Sequence, residues 1–369
     1  MMRLVYLSPV SWFSFAQRPH RFVEWFQHRT GGQVLWVEPY PTRLPTWADL
    51  FRNSDRVGDQ RSQLLPPWLE IVGSKALPIE PMPFIARANR LLFESVVSKS
   101  EEFLSGHDGL VVVGKPSDLA LAVLDRVPKV PSVYDAMDDF PEFYSGLSRR
   151  SMHAREKSII ARVSHLFVSS TQSMGRFSGA HGDIRFVLNA CDASTLPDVL
   201  PERGKKGRTI IGYVGTIGLW FDWSFVIALA ELRPGFTVQL IGPVHGPVPS
   251  VLPANIELCP PLEHQAAMRA ACLFSVGLIP FLRTSLTASV DPIKYYEYRA
   301  MGIPIVSTAF GEMALRREEP GVYLVDDGTP DSLNDALVRA MSWRSSSESL
   351  AAFRLANTWE ARFDAAALI

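Results

Sequence analysis

The sequence predicts an α/β protein built from two doubly wound parallel-sheet domains. Three observations carry this. Short β-branched runs alternate with helical patterns along the whole chain. Most of those runs are near-continuously apolar, as in parallel strands covered on both faces. The 369-residue length accommodates two or three domains. Hydrophobic residues make up 47% and charged residues 20%, a globular composition.

In the first half, strands are expected over 3–8, 33–38, 109–114, 132–135, 165–169 and 184–188. Helical patterns over 18–29, 85–104, 117–125, 149–162 and 171–178 lie between them, the order expected of a doubly wound domain. The second half repeats the scheme. Its strands are expected over 209–214, 237–241, 256–258, 274–278, 304–307 and 322–325, and its helices over 222–232, 263–271, 292–301 and 332–343. LPERGKKGR at 200–208 is polar, glycine-bearing and basic, and reads as the linker. The expected domains are therefore 1–200 and 201–345, with 346–369 a closing helical segment. The stretch 40–83 is rich in Pro and reads as an elaborated surface loop region. Within it, PMPFI at 81–85 with Arg87 and Arg90 suits either a lipid surface or a helix start packed on the core.

Net charge is −1, from 37 Lys plus Arg against 38 Asp plus Glu, which disfavours a nucleic-acid binder. The three cysteines fit neither a disulfide framework nor a zinc or redox motif. No apolar run reaches the ~18–20 residues of a membrane span, and the N-terminal run reads as a first strand. A cytoplasmic location is expected, with peripheral contact at the inner face of the plasma membrane left open.

Four segments could carry chemistry. In VDPIKYYEYRAMGIPIVST at 290–308, Asp291 is expected to cap a helix with Pro292 in its first turn. Lys294 then lies where free N–H groups and the positive helix end favour a diphosphate. Glu297 follows on the same face, about 4.5 Å along the axis, suited to adjoining ribose hydroxyls. The plain alternative is a surface ion pair worth a few tenths of a kcal/mol. IGYVGTIGLWFD at 211–222 places Gly212, Gly215 and Gly218 between a strand and a helix, where backbone can approach a phosphate or sugar. Its spacing is not the dinucleotide fingerprint.

VYDAMDDF at 133–140 brings Asp135, Asp138 and Asp139 to a strand end, where one could take a proton from an attacking hydroxyl and at least one should be structural. SFAQRPH at 14–20 offers Gln17, Arg18 and His20 to an anionic or polyhydroxyl ligand. No HExxH, GxSxG or GxxxxGK[ST] pattern occurs, and no histidine spacing suggests a metal.

KYYEYRAMGIPIV at 294–306 resembles the KxxEYxAxGxPV signature of GT-B glycosyltransferases. QRPH at 17–20 and VYDAMDD at 133–139 look like bacterial enzymes building teichuronic acids, exopolysaccharides and related surface glycans. The resemblance implies a GT-B fold, with two Rossmann-like domains facing each other across a cleft and the closing helix crossing back to the first. It implies a nucleotide sugar of UDP or GDP type as donor, a glycan or lipid-linked acceptor, and no required metal or other cofactor.

By the same resemblance, Gly215, Thr216 and Ile217 line the donor phosphates, Leu262 lies near the base, and Lys294 and Glu297 hold diphosphate and ribose. Gln17, Arg18 and His20 fall to the acceptor side. Retaining relatives carry Glu-x7-Glu, but Ser289 stands eight residues before Glu297. The resemblance, to enzymes with an Asp after this strand, instead implies inverting transfer with Asp138, flanked by Asp139, as catalytic base. A sugar-nucleotide epimerase on the same scaffold and a non-catalytic partner subunit are the alternatives.

Overall fold

The structure is a computed structural model that describes residues 1–40, 65–74, 76, 83–192, 195–197 and 209–369. Most of the expected loop region at 40–83, including Trp47 and the first two residues of the PMPFI run, and the expected linker at 200–208 lie outside the described residues. The chain forms two compact units. The first comprises Met1–Ser169 and Ser173–Val187, the second Ser170–Gln172 and Leu188–Ile369.

The first unit holds β1 (Arg3–Leu7), β2 (Gln33–Val37), β3 (Leu69–Val72), β4 (Gly109–Val113), β5 (Ser132–Ala136), β6 (His165–Val168) and β7 (Ile184–Phe186). They form a seven-stranded sheet in the order β3-β2-β1-β4-β5-β6-β7, every neighbouring pair parallel. Its helices are α1 (Arg18–Thr30), α2 (Pro83–Leu104), α3 (Asp118–Arg126), α4 (Gly146–Ile160) and α5 (Thr171–Phe177). Strand β3 was not expected. It is a four-residue edge strand whose Glu70 is exposed, so it lacks the apolar run that marks the central strands.

The second unit holds β8 (Ile210–Val214), β9 (Thr237–Ile241), β10 (Ile256–Cys259), β11 (Val276–Ile279), β12 (Ile305–Thr308) and β13 (Val322–Val325). Their order is β10-β9-β8-β11-β12-β13, again parallel. The covering helices are α6 (Trp223–Leu232), α7 (His264–Ala271), α8 (Ile293–Ala300) and α9 (Pro330–Ser342). The closing segment, expected as one helix, is two: α10 (Ser347–Ala356) and α11 (Trp359–Ala365). Thr358 breaks it because its side chain accepts the Ala361 N–H at 3.1 Å and starts a new helix. Phe353 meets Tyr295 edge-on at 5.8 Å, and Arg354 donates to the Ala300 carbonyl at 2.7 Å, so α10 packs on α8.

The strand order reverses between β1 and β4 in one sheet and between β8 and β11 in the other. Ligands of open α/β sheets bind beyond the carboxyl ends of strands at such reversals. All four segments singled out from the sequence follow strands at or beside these points.

Candidate functional site

In the second unit the first turn of α8 meets the loop that follows β8. Lys294 Nζ lies 3.1 Å from Glu297 Oε2; the lysine side chain is 22% exposed and the glutamate 6%. Gly215 takes φ +147°, and a Cβ there would sit 3.1 Å from Lys294 Cε and 2.9 Å from the Tyr213 hydroxyl. The glycine thus makes room for the lysine stem. Helix and loop are also tied directly. The Val214 N–H donates to the Tyr298 hydroxyl at 3.0 Å, and Tyr213 donates to the Thr216 carbonyl at 2.9 Å. Burial pushes the Tyr213 and Tyr298 phenols up, which keeps both neutral donors or acceptors.

Gly242, after β9, supports the same loop. It takes φ +146°, and a Cβ there would fall 2.1 Å from the Gly215 carbonyl oxygen. Gly242→Ala must therefore displace the Gly215 loop. We expect it to cost about 1–3 kcal/mol of unfolding free energy in urea and to weaken nucleoside diphosphate binding by calorimetry.

Asp291 does not cap α8 as expected. Pro292 occupies the cap position without a side-chain hydrogen bond. The buried Asp291 carboxylate instead accepts from Arg316 at 2.7 Å, the Tyr296 hydroxyl at 2.9 Å and the Asn189 backbone N–H at 2.7 Å. A guanidinium and two neutral donors outcompete one helix N–H for this carboxylate. The result fixes the start of α8, and hence Lys294, on a buried anchor.

His264, at the start of α7, was not singled out by the sequence. Its Nε2 is 3.9 Å from Glu297 Oε1 and 3.2 Å from Thr195 Oγ1. Only the fold brings it to Glu297, so no sequence spacing could reveal it. Leu262, two residues earlier, is exposed. Ile217 is fully buried, and its N–H is bonded to the Pro243 carbonyl at 2.9 Å, so its side chain packs in the core.

In the first unit the segment after β5 separates its three aspartates by environment. Asp135 is fully buried in a bidentate pair with Arg18, whose Nη2 lies 2.8 Å from Oδ1 and whose Nε lies 2.9 Å from Oδ2. Arg18 Nη1 donates onward to the Val187 carbonyl at 2.8 Å. Asp139 accepts from Arg176 at 3.0 Å, and Arg176 also pairs with Glu156 at 3.1 Å. Burial raises the Asp139 carboxyl, with Arg176 opposing.

Asp138 differs. None of the described residues donates a hydrogen bond to its half-buried carboxyl. Burial, opposed by Arg18 and reinforced by Asp135 and Asp139, pushes it up to about 7.

Two residues expected on the acceptor side are held by partners within the first unit. Arg18 is bound to Asp135 and is buried, so it braces β5. His20 is buried beside Trp12 and Trp36. Its Nδ1 accepts the Gln17 N–H at 3.1 Å, so the ring proton sits on Nε2, 3.1 Å from the Trp12 carbonyl. Burial lowers its pKa, keeping the imidazole neutral. A basic side chain at a helix start reads the same in sequence whether it meets a ligand or a carboxylate on another strand. Gln17 is half-buried at the cap of α1.

Arg18→Met should destabilise the protein by about 3–5 kcal/mol in urea titrations, since it strands a buried carboxylate. Adding Asp135→Leu should restore much of that loss; an additive loss instead would contradict the assignment of the pair.

Among the described residues no group of three or more His, Cys, Asp or Glu is placed to hold a metal ion. Among the described residues no helix is long and apolar enough to cross a membrane.

No protein-family model matches the chain. A Bacillus subtilis (strain 168) protein, provisionally assigned as the teichuronic acid biosynthesis glycosyltransferase TuaH, is 25% identical over 138 residues. The match covers 36% of this chain and 34% of that relative, so the chain spans about a third of the length of the curated relative it matches. Solved structures align along the whole chain. The lipopolysaccharide outer core galactosyltransferase WaaB, in its apo form, superposes with a TM-score of 0.63 at 11% identity, covering 100% of this chain and 99% of WaaB. Anabaena HepE in complex with UDP and glucose gives 0.63 at 14% identity, with the same coverage of both chains. Two parallel sheets with interleaved helices, aligned end to end with these glycosyltransferase structures, make this chain a protein of the GT-B fold.

Proposed function

We propose that this protein transfers a sugar from a nucleoside diphosphate, of UDP or GDP type, to a hydroxyl of a glycan or lipid-linked acceptor in bacterial surface polysaccharide synthesis. The observation that carries the reading is the meeting of Lys294 and Glu297 with the Gly215 loop at the strand-order reversal of the second sheet. An ammonium, a helix start and a close-approaching backbone suit a diphosphate. A carboxylate three residues on suits vicinal ribose hydroxyls. Support also comes from the TuaH likeness and from HepE, which was solved with UDP and glucose.

The proposed chemistry is a single displacement with inversion. Asp138 takes the proton of the acceptor hydroxyl as its oxygen bonds to the anomeric carbon. The bond from that carbon to the terminal phosphate oxygen breaks, and the diphosphate leaves with its charge met by Lys294 and the start of α8. A carboxyl poised at about 7 is half ionised near neutrality, where a general base is most effective. Ser289 in place of an acidic residue removes the carboxylate that retaining relatives are expected to use.

A thermal-shift panel tests the reading. UDP or GDP, and one of their sugars, should raise the melting temperature, since a ligand at ~100 times its Kd adds about 2.7 kcal/mol to the folded state. Uridine and guanosine should have little effect. Equal shifts by nucleosides and their diphosphates, or none by any, would count against it.

A further inference from the structure

We infer that the α4 face of the first unit docks on an anionic lipid surface. The turn over Phe140–Phe143 and the start of α4 follow Asp138 directly in the chain. Here Phe143 is 51% and Leu147 75% exposed, although both are large apolar side chains. On α4, Leu147, Arg150, Ala154 and Lys157 fall at helical spacing on one side, and all are exposed. Arg149 is exposed beside them and pairs with Glu142.

Every exposed carboxylate or cation on α4 is a cation: Arg149, Arg150 and Lys157. The helix's one carboxylate, Glu156, is buried against Tyr134 and Arg176. Two arginines also stand in the first turns, where the positive helix end disfavours them. Glu142 accounts for Arg149, and an anionic partner outside the helix accounts for Arg150.

The exposed apolar residues Leu91 and Leu92 on α2 make a useful contrast. On that face Glu94, Glu101 and Glu102 stand with Arg90 and Lys99, and Arg126 pairs with two of the glutamates, so it offers an anionic surface no surplus of cations. Apolar tips framed by a surplus of cations, Arg149, Arg150 and Lys157 against the one carboxylate of Glu142, are the pattern of an interfacial helix on acidic headgroups.

The inference deepens the proposed function, for a lipid-linked acceptor would then be delivered beside Asp138. Its test needs no transfer activity. The full-length protein is sedimented with vesicles of 30% phosphatidylglycerol in phosphatidylcholine, and with pure phosphatidylcholine. Binding is expected to the first only and to fall with added salt.

Arg150→Ser with Lys157→Ser should weaken it about 30-fold, since each surface cation is worth about 1 kcal/mol. Phe143→Ser with Leu147→Ser should weaken it at least tenfold, and Leu91→Ser should leave it unchanged. Circular dichroism confirms that each variant is folded. No binding to acidic vesicles, or equal loss with Leu91→Ser, would overturn the inference. So would a wild-type dimer in light scattering that Phe143→Ser with Leu147→Ser makes monomeric without any vesicle binding. Nucleotide-induced thermal shifts in the same preparations separate a failure here from a failure of the donor site.

Discussion

Asp138→Asn is expected to lower turnover by about 10²–10⁴ while nucleotide affinity persists. That range is what a positioned general base contributes, about 3–5 kcal/mol of barrier. The loss should be in kcal/mol of transition-state stabilisation, so kcat falls while the donor KM holds. The wild-type kcat/KM should rise with pH through about 7 as the Asp138 carboxyl ionises, and the asparagine variant should lose that limb.

Stability should move the other way. An aspartate raised from 3.8 to about 7 by burial is protonated in the folded protein and ionised in the unfolded chain between those values. The folded state then holds more protons, so this group's contribution to stability is full below about 4 and is lost as pH rises through 7. The interval corresponds to an upper bound of about 4 kcal/mol. Asp138→Asn should therefore raise the melting temperature at pH 8 and have less effect at pH 4. Near-normal turnover, or a destabilised variant at pH 8, would remove Asp138 from the role.

Lys294→Ala is expected to weaken nucleoside diphosphate binding by about 10–100-fold, the worth of a charge-assisted hydrogen bond in a partly shielded site. Nucleoside binding should change far less. The lysine is paired with Glu297 in the free protein, so diphosphate must compete with that carboxylate. Glu297→Gln should accordingly free the lysine while weakening the proposed ribose contact, shifting affinity for UDP less than Lys294→Ala does. Calorimetric titrations of UDP and uridine into both variants check this. Parallel losses for UDP and uridine on Lys294→Ala would contradict a phosphate role.

The fold was legible because its strands are buried on both faces. Runs such as Leu4–Leu7 of β1 and the whole of β4 are apolar without interruption, and the expected positions of both strands agree with the structure to within a residue or so. Strand β3 was hidden because an edge strand need be apolar on one side only. In the candidate donor turn, Lys294 and Glu297 were legible because helix periodicity alone brings them together.

The partners of Asp291, Arg18 and His20 were hidden from the sequence for one shared reason. Each makes its bonds to a residue distant in sequence or to a backbone group, and local pattern carries no record of either. Asp291 reaches Arg316 and Asn189, Arg18 reaches Asp135, and His20 reaches the Trp12 carbonyl. The distinction among Asp135, Asp138 and Asp139 likewise comes from tertiary partners. Arg18 and Arg176 take the outer two, and the middle one is left at about 7.

The most direct measurement is a crystal structure of the protein grown with UDP. The account predicts that Lys294 Nζ leaves Glu297 for an oxygen of the diphosphate, that the diphosphate lies against the Gly215 loop, and that Glu297 accepts from the ribose hydroxyls. UDP bound elsewhere, with the Lys294–Glu297 pair intact and the Gly215 loop uncovered, would contradict it.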